Sequence, residues 1–235
     1  MADQPVALIT GSSRGVGKGI SSYLLGQGFK VFGCSRGPST MDEKDYEHSQ
    51  LDVGCQKQVS EWVSGVSRAE GRIDVLVNSA GMMPASTLAL ATTSDVVEET
   101  IKTNFLGTFS VCREAATVML RKRTGRIINL STIATGLHLE GASAYIASKS
   151  AVVGFSKVLA KELAPAGITV NVVAVSLMET EMSATLDEQQ RERYREHFAI
   201  KRWATIDDVC NAVSFFASPD SGYITGQVMH LGYVD

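Results

Sequence analysis

The sequence predicts a single α/β domain built on a parallel sheet of about seven strands, with helices on both faces. Three observations carry that prediction. Short apolar runs rich in β-branched residues alternate with longer stretches of helical periodicity, the pattern of repeated βαβ units. Runs such as Val75-Leu76-Val77 are apolar at every position rather than at alternate ones, as expected of strands covered on both sides. The first run ends in a glycine-rich turn, Thr10-Gly11-Ser12-Ser13-Arg14-Gly15-Val16-Gly17, where a strand gives way to a helix. Right-handed crossovers then make the sheet doubly wound, of Rossmann type.

Taken in order, strands are expected at residues 6–10, 30–34, 74–78, 126–130, 168–173 and 227–231, with a shorter one ending at Leu51-Asp52. Helical periodicity fills the gaps at 15–27, 56–69, 95–122, 142–163 and 206–217. Pro165-Ala166-Gly167 reads as a helix stop and turn. One segment, 178–204, breaks the alternation: it is polar, charged and helical in pattern and follows the C-terminal end of a strand. A mobile substrate lid and a solvated helix both fit it, and its position favours the lid.

Length and composition narrow the function. A chain of 235 residues suits one domain with one sizeable core. A net charge of −3 argues against broad nucleic-acid binding, which needs a basic face. No apolar run approaches the roughly 20 residues that span a bilayer, so no membrane contact is expected. Met1-Ala2-Asp3-Gln4-Pro5 leads into a strand without a basic and then apolar segment, which predicts no signal peptide. Cys34, Cys55, Cys112 and Cys210 form no close pair, as expected of free thiols in a cytoplasmic protein. His48, His138, His197 and His230 are dispersed and form no metal-ligand spacing. Of these, His138 alone falls near the expected site.

The glycine turn has a physical task. Gly11 permits a tight reversal, and Gly15 and Gly17 let backbone approach a pyrophosphate and let helix pack on strand. The helix start adds unpaired N–H groups and a positive dipole end. Its spacing is G-x-x-x-G-x-G, which alone fits a nucleotide site or a plain turn. At the end of the second strand, where an acidic residue would bind the ribose of NAD, stand Ser35 and Arg36. With Arg14 they offer two guanidiniums and a hydroxyl, suited to the 2′-phosphate of NADPH; two solvated arginines are the alternative. Tyr145 and Lys149, four apart on an expected helix, share one face. A tyrosine ionises near 10, and a neighbouring ammonium would stabilise its phenolate.

In order and separation, Thr10-Gly-x-x-x-Gly-x-Gly17, Asn78-Ser79-Ala80-Gly81, Asn104 and Tyr145-x-x-x-Lys149 resemble the motifs of the short-chain dehydrogenases/reductases. The likeness runs over essentially the whole chain. Residues 125–128, 167–174 and 223–227 are similar to the 3-oxoacyl-(acyl-carrier-protein) reductase branch in particular. The resemblance implies that Ser13, Arg14 and Val16 lie with the three glycines around the phosphates, and that Asp52 and Val53 flank the adenine. It places Asn78, Ala80 and Gly81 along the ribose and Lys149 on the nicotinamide ribose. Asn104 would hold a water in the proton relay, and Met178 and Thr180 would meet the carboxamide.

The departures from the family pattern are specific. The catalytic serine normally stands thirteen residues before the tyrosine, a position held here by Thr132. Threonine keeps the hydroxyl but adds a methyl that stiffens χ1; Ser131, one residue away on a strand, points to the other side. Val175-Ser176 replaces the usual Pro-Gly, and Ser79 replaces a second asparagine.

The resemblance implies NADPH-dependent reduction of a ketone to a secondary alcohol, with Tyr145 as the acid. The substrate is a 3-oxoacyl thioester or a polyketide-like ketone. Arg121-Lys122-Arg123 is either a docking patch for an acidic acyl carrier protein or a helix end that favours cations. Ala166 replaces a further basic residue of that branch. Residues 82–84 and 136–140, with His138 and Glu140, are expected to line the pocket. A cofactor-binding scaffold without turnover is the rival reading. By the same resemblance the long helices would build a homotetramer, a dimer being possible; Ala115-Ala116, Ala147 and Ala151 would allow close helix approach, and are equally ordinary inside one monomer.

Overall fold

A computed structural model describes residues 4–178, 191–192 and 195–234. Its elements run β1 (Val6–Thr10), α1 (Gly15–Gly26), β2 (Lys30–Ser35), β3 (Tyr46–Gln50), α2 (Gln56–Glu70) and β4 (Val75–Asn78). They continue with α3 (Ser94–Ile101), α4 (Gly107–Lys122), β5 (Gly125–Thr132), α5 (Ala134–Leu137) and α6 (Ser143–Leu163). The last are β6 (Ile168–Val175), α7 (Ile206–Ala217) and β7 (Val228–His230). The strands form one seven-stranded sheet in the order β3-β2-β1-β4-β5-β6-β7, and every neighbouring pair is parallel. The expected doubly wound architecture is therefore what the chain forms.

The continuous apolar runs have the expected cause. Along β1, Val6 and Leu8 enter one core cluster while Ala7 and Ile9 enter the other. The first cluster lies beneath α2, α4 and α6, and α2 contributes Val59, Trp62, Val63 and Val66, a stripe at i, i+3 and i+4 spacing. The second lies beneath α1 and α7, which supply Ile20, Leu24, Val209, Val213 and Phe216. Thr205 caps α7: its hydroxyl accepts the Asp208 N–H, and the Asp208 carboxylate accepts the Thr205 N–H, a reciprocal capping box. Cys34, Cys112 and Cys210 are buried free thiols, as expected.

Several boundaries moved. Both β5 and β6 extend two residues past the expected ends, because Thr132 pairs with Val175 although Ser131 and Thr132 break the apolar run. The single helix expected over 95–122 consists of α3, a π-helical turn at Lys102–Leu106, and α4. The one-turn helix α5 is too short to leave a periodic signal. Of the expected lid, residues 179–190 and 193–194 lie outside the described residues. Its two ends meet, since Met178 bridges Ala204, and Phe198 is buried edge-on to Trp203. Among the described residues no helix is long and apolar enough to cross a membrane.

Candidate active site

The strand order reverses between β1 and β4, so a crevice opens outside their C-terminal ends at the topological switch point. Thr10 pairs with Asn78 across that junction. Its hydroxyl accepts the Ser79 and Ala80 N–H groups at 3.1 and 3.0 Å, tying the two turns together. Gly11 has φ +71, and a Cβ there would stand 2.9 Å from the Ala80 Cα. A Cβ on Gly17 would run into the Gly11 carbonyl oxygen. A Cβ on Gly15 would meet only open space. Arg14 occupies the N-cap of α1 in extended conformation, and no side chain caps the helix. A helix start without an N-cap side-chain bond, beside the open space at Gly15, is a cradle that fits the phosphates of a dinucleotide.

Ser35 ends β2 half-buried, with Arg36 exposed next to it and Arg14 exposed in the glycine turn. The Asp52 carboxylate accepts the Gly54 N–H at 2.8 Å and so shapes the turn that carries Val53. Val53 itself is buried against Gly107 at the start of α4. Asn78 turns away from the crevice. Its amide donates to Asn129 Oδ1 at 2.8 Å and to Cys112 Sγ at 3.2 Å, so the surface presented there is the backbone of Ser79, Ala80 and Gly81. Met178 is buried at the base of the segment after β6. Thr180 lies outside the described residues.

Elsewhere in the site, β5 and α6 carry Thr132, Tyr145 and Lys149. The Thr132 hydroxyl accepts the Ala134 N–H at 3.2 Å and lies near enough to the Tyr145 hydroxyl to favour its phenolate. Ser131 instead donates to the Lys149 carbonyl at 3.3 Å from the opposite side of the strand. Lys149 is buried, and its ammonium donates to the Leu130 carbonyl at 2.9 Å. Burial lowers its pKa from 10.5 to about 8. Tyr145 as a whole is half-buried, yet its hydroxyl is enclosed: desolvation pushes its pKa up to about 12, and the Thr132 hydroxyl acts weakly the other way. In the protein alone, then, burial outweighs any help to the phenolate from Lys149.

Asn104 is fully buried in the π-helical turn. Its Oδ1 accepts the Met82 N–H at 2.8 Å, and its amide donates to the Met82 carbonyl and to Ser148 Oγ, both at 2.9 Å. The side chain thereby clamps the loop after β4 onto α6. A Cβ on Gly81 would sit 3.3 Å from Asn104 Oδ1 and 3.4 Å from Lys149 Nζ, which places all three at one spot. π turns interrupt the regular ladder and recur at functional sites.

Other expected residues lie elsewhere. His138, with φ +50, is exposed and lines a shallow cleft with Thr135, Lys157 and His230. Glu140 is exposed as well. Arg121 and Lys122 end α4, and Arg123 Nη2 donates to the Pro165 carbonyl at 2.6 Å. They precede β5, so they stand at the N-terminal ends of the strands, opposite the crevice. Ala115 and Ala116 are buried in this subunit's own core, whereas Ala147 is exposed. His48, given no role by sequence, joins a polar cluster beneath the glycine turn through Ser12 and Ser35. Its only sequence signal is that it shares a strand face with Tyr46, two residues before it.

A family model described as Enoyl-(Acyl carrier protein) reductase matches residues 11–233. The chain is 32% identical over 232 residues to the 3-oxoacyl-[acyl-carrier-protein] reductase FabG of Salmonella typhimurium, covering 96% of this chain and 95% of the relative. It is 34% identical to FabG of Staphylococcus epidermidis, covering 96% of each. Among solved structures, ElxO with NADP bound superposes with a TM-score of 0.89 at 29% identity, over 97% of this chain and 96% of that one. Thermoplasma acidophilum aldohexose dehydrogenase in ligand-free form gives 0.88 at 26%, over 97% and 92%.

Proposed function

The chain belongs to the short-chain dehydrogenase/reductase family, and from that premise we propose that it uses NADPH to reduce a ketone to a secondary alcohol. The observation that carries the reading is that β5 and α6 hold Thr132, Tyr145 and a buried Lys149 ammonium in one site, in a fold whose first helix starts at the glycine turn with no capping bond from its N-cap side chain. Curated relatives named 3-oxoacyl-[acyl-carrier-protein] reductases and a neighbour with NADP bound support the cofactor and the reaction class.

The cofactor supplies a hydride to the carbonyl carbon. Thr132 and Tyr145 donate hydrogen bonds to the carbonyl oxygen, and Tyr145 gives up its proton as negative charge develops there. A phenol held near 12 is protonated at neutral pH, the state an acid needs. Lys149, charged below about 8, stabilises the phenolate left behind and holds the nicotinamide ribose. The proton is replaced through water at the Asn104 turn, where the side-chain amide is committed to Met82 and Ser148 and the backbone carbonyl accepts the Thr108 hydroxyl. Gly11, Ser13, Arg14, Gly15, Val16 and Gly17 surround the phosphates, and Ser35 and Arg36 take the 2′-phosphate.

The substrate class is a 3-oxoacyl thioester or a polyketide-like ketone, with an acyl carrier protein as the potential donor of the former. The protein is a cytoplasmic homotetramer formed through α4 and α6, where Phe109, Leu120 and Val158 are exposed. The test is loss of NADPH absorbance with a panel of an acetoacetyl thioester, a bulky cyclic ketone and an aromatic polyketide mimic. Turnover that prefers NADPH over NADH supports the reading and ranks the substrates. Tight NADPH binding without turnover on any of them would favour the scaffold.

A further inference from the structure

Beneath the glycine turn lies a polar cluster that the reaction does not use. His48 on β3 pairs with Gly33 on β2, and a Cβ on Gly33 would collide with Ser12 Oγ. The missing side chain makes room for Ser12, Tyr46 and His48 to meet over the sheet. Tyr46 donates to Ser12 Oγ at 2.9 Å, and His48 Nδ1 lies 3.0 Å from the Tyr46 hydroxyl and 3.3 Å from Ser12 Oγ. On the other side of the ring, Nε2 is 3.1 Å from both the Gly37 carbonyl oxygen and Ser35 Oγ. Ser35 in turn donates to the Gly37 carbonyl at 2.8 Å.

Hydrogen-bonding capacity fixes the arrangement. A carbonyl only accepts, so Nε2 carries the proton it gives to Gly37, and in the neutral ring Nδ1 accepts from Tyr46 or Ser12. The Gly37 carbonyl therefore has two donors in reach. Either one satisfies it alone. If the Ser35 hydroxyl rotates toward an incoming 2′-phosphate, the carbonyl keeps a partner in His48. Without the imidazole, Ser35 can serve the phosphate only by abandoning that carbonyl, and leaving a partly buried acceptor unpaired is costly.

We infer that His48 is a positioning residue for selection of the phosphorylated cofactor: it holds the Gly37 carbonyl and so frees the Ser35 hydroxyl to donate to the 2′-phosphate. This rests on the proposed assignment of Ser35 to that phosphate. NADH has no such phosphate, so its binding depends less on His48. Through Nδ1 the same ring ties this loop to Ser12 of the glycine turn.

The test measures dissociation constants for NADPH and NADH by fluorescence of the bound reduced nicotinamide, without turnover. It uses the full chain, His48→Phe, His48→Gln, Ser35→Ala and the double variant His48→Phe/Ser35→Ala. His48→Phe is expected to lower the NADPH-over-NADH preference by about tenfold, the effect of one lost buried hydrogen bond. His48→Gln, whose amide donates near the Nε2 position, recovers most of it. The double variant loses no more than Ser35→Ala alone. Equal weakening of both cofactors, or full additivity in the double variant, overturns the inference. If His48→Phe does not fold, His48→Ala is read by the same ratio. An unsubstituted protein that binds neither cofactor would overturn the NADPH reading itself, a distinct outcome.

Discussion

Replacing Lys149 with methionine tests the electrostatics of the site without any substrate. The ammonium is buried, donates one hydrogen bond of 2.9 Å to the Leu130 carbonyl, and ionises near 8 rather than 10.5. Each tenfold change in proton affinity is about 1.4 kcal/mol, so keeping the charge in the fold costs roughly 3 kcal/mol at neutral pH. Losing the Leu130 hydrogen bond costs about 1 kcal/mol in return. Lys149→Met without cofactor is therefore expected to be more stable than the parent at pH 7 by about 2 kcal/mol.

The pH dependence follows from the same shift. Between about 8 and 10.5 the unfolded chain holds the proton and the folded chain does not. The unfolded state binds more protons there, so stability rises with pH, and it falls again as pH drops toward 8. Below that window the penalty is complete and constant. Urea denaturation of both proteins from pH 7 to 10.5 reads this directly, and the difference between them cancels other titrations. The gap should close as pH rises and end in the parent's favour. A variant less stable than the parent at pH 7, or a gap that does not change with pH, would refute the reasoning.

Four further outcomes follow. Thr132→Ala is expected to lower kcat by about 10²–10³-fold, the usual effect of removing one donor to a developing oxyanion, while Ser131→Ala changes it little; the reverse result would shift the site by one residue. Alcohol oxidation needs Tyr145 as phenolate, so with its pKa pushed up to about 12, kcat/KM for oxidation relative to that for reduction should rise from pH 7 to 10, while reduction falls as Lys149 loses its charge above about 8; matching profiles in both directions would exclude Tyr145 as the proton carrier. Gly11→Ala places a Cβ 2.9 Å from Ala80 at φ +71, and a loss of about 2 kcal/mol or more in urea denaturation is expected. Phe109→Glu, on the exposed face of α4, should reduce the mass seen by light scattering to that of a smaller assembly; an unchanged mass would remove that face from the interface.

The sheet and the catalytic helix were legible because they depend on local signals. Apolar runs, the Gly11–Gly17 turn and the four-residue step from Tyr145 to Lys149 each specify geometry over a few residues, and counting back to Thr132 crosses only one strand–helix connection. What sequence missed depends on contacts between distant segments. The helical period through Lys102–Leu106 looks regular, so the π turn that buries Asn104 leaves no trace in the pattern. The Asn78 amide is drawn inward by Asn129 and Cys112, which come from β5 and α4, a contact no local pattern announces. Ala115 and Ala116 looked available for a partner and are used in the subunit's own core. His48 acquires its neighbours only when β3 pairs with β2 opposite Gly33.

The most direct measurement is NADPH oxidation with an acetoacetyl thioester by the protein and by Tyr145→Phe under identical conditions, with cofactor binding measured for both. Turnover by the parent, lost in the variant while NADPH still binds both equally, is the expected result. Undiminished turnover in Tyr145→Phe would contradict the account, because the proton would then come from a group other than the one this site holds beside Thr132 and Lys149.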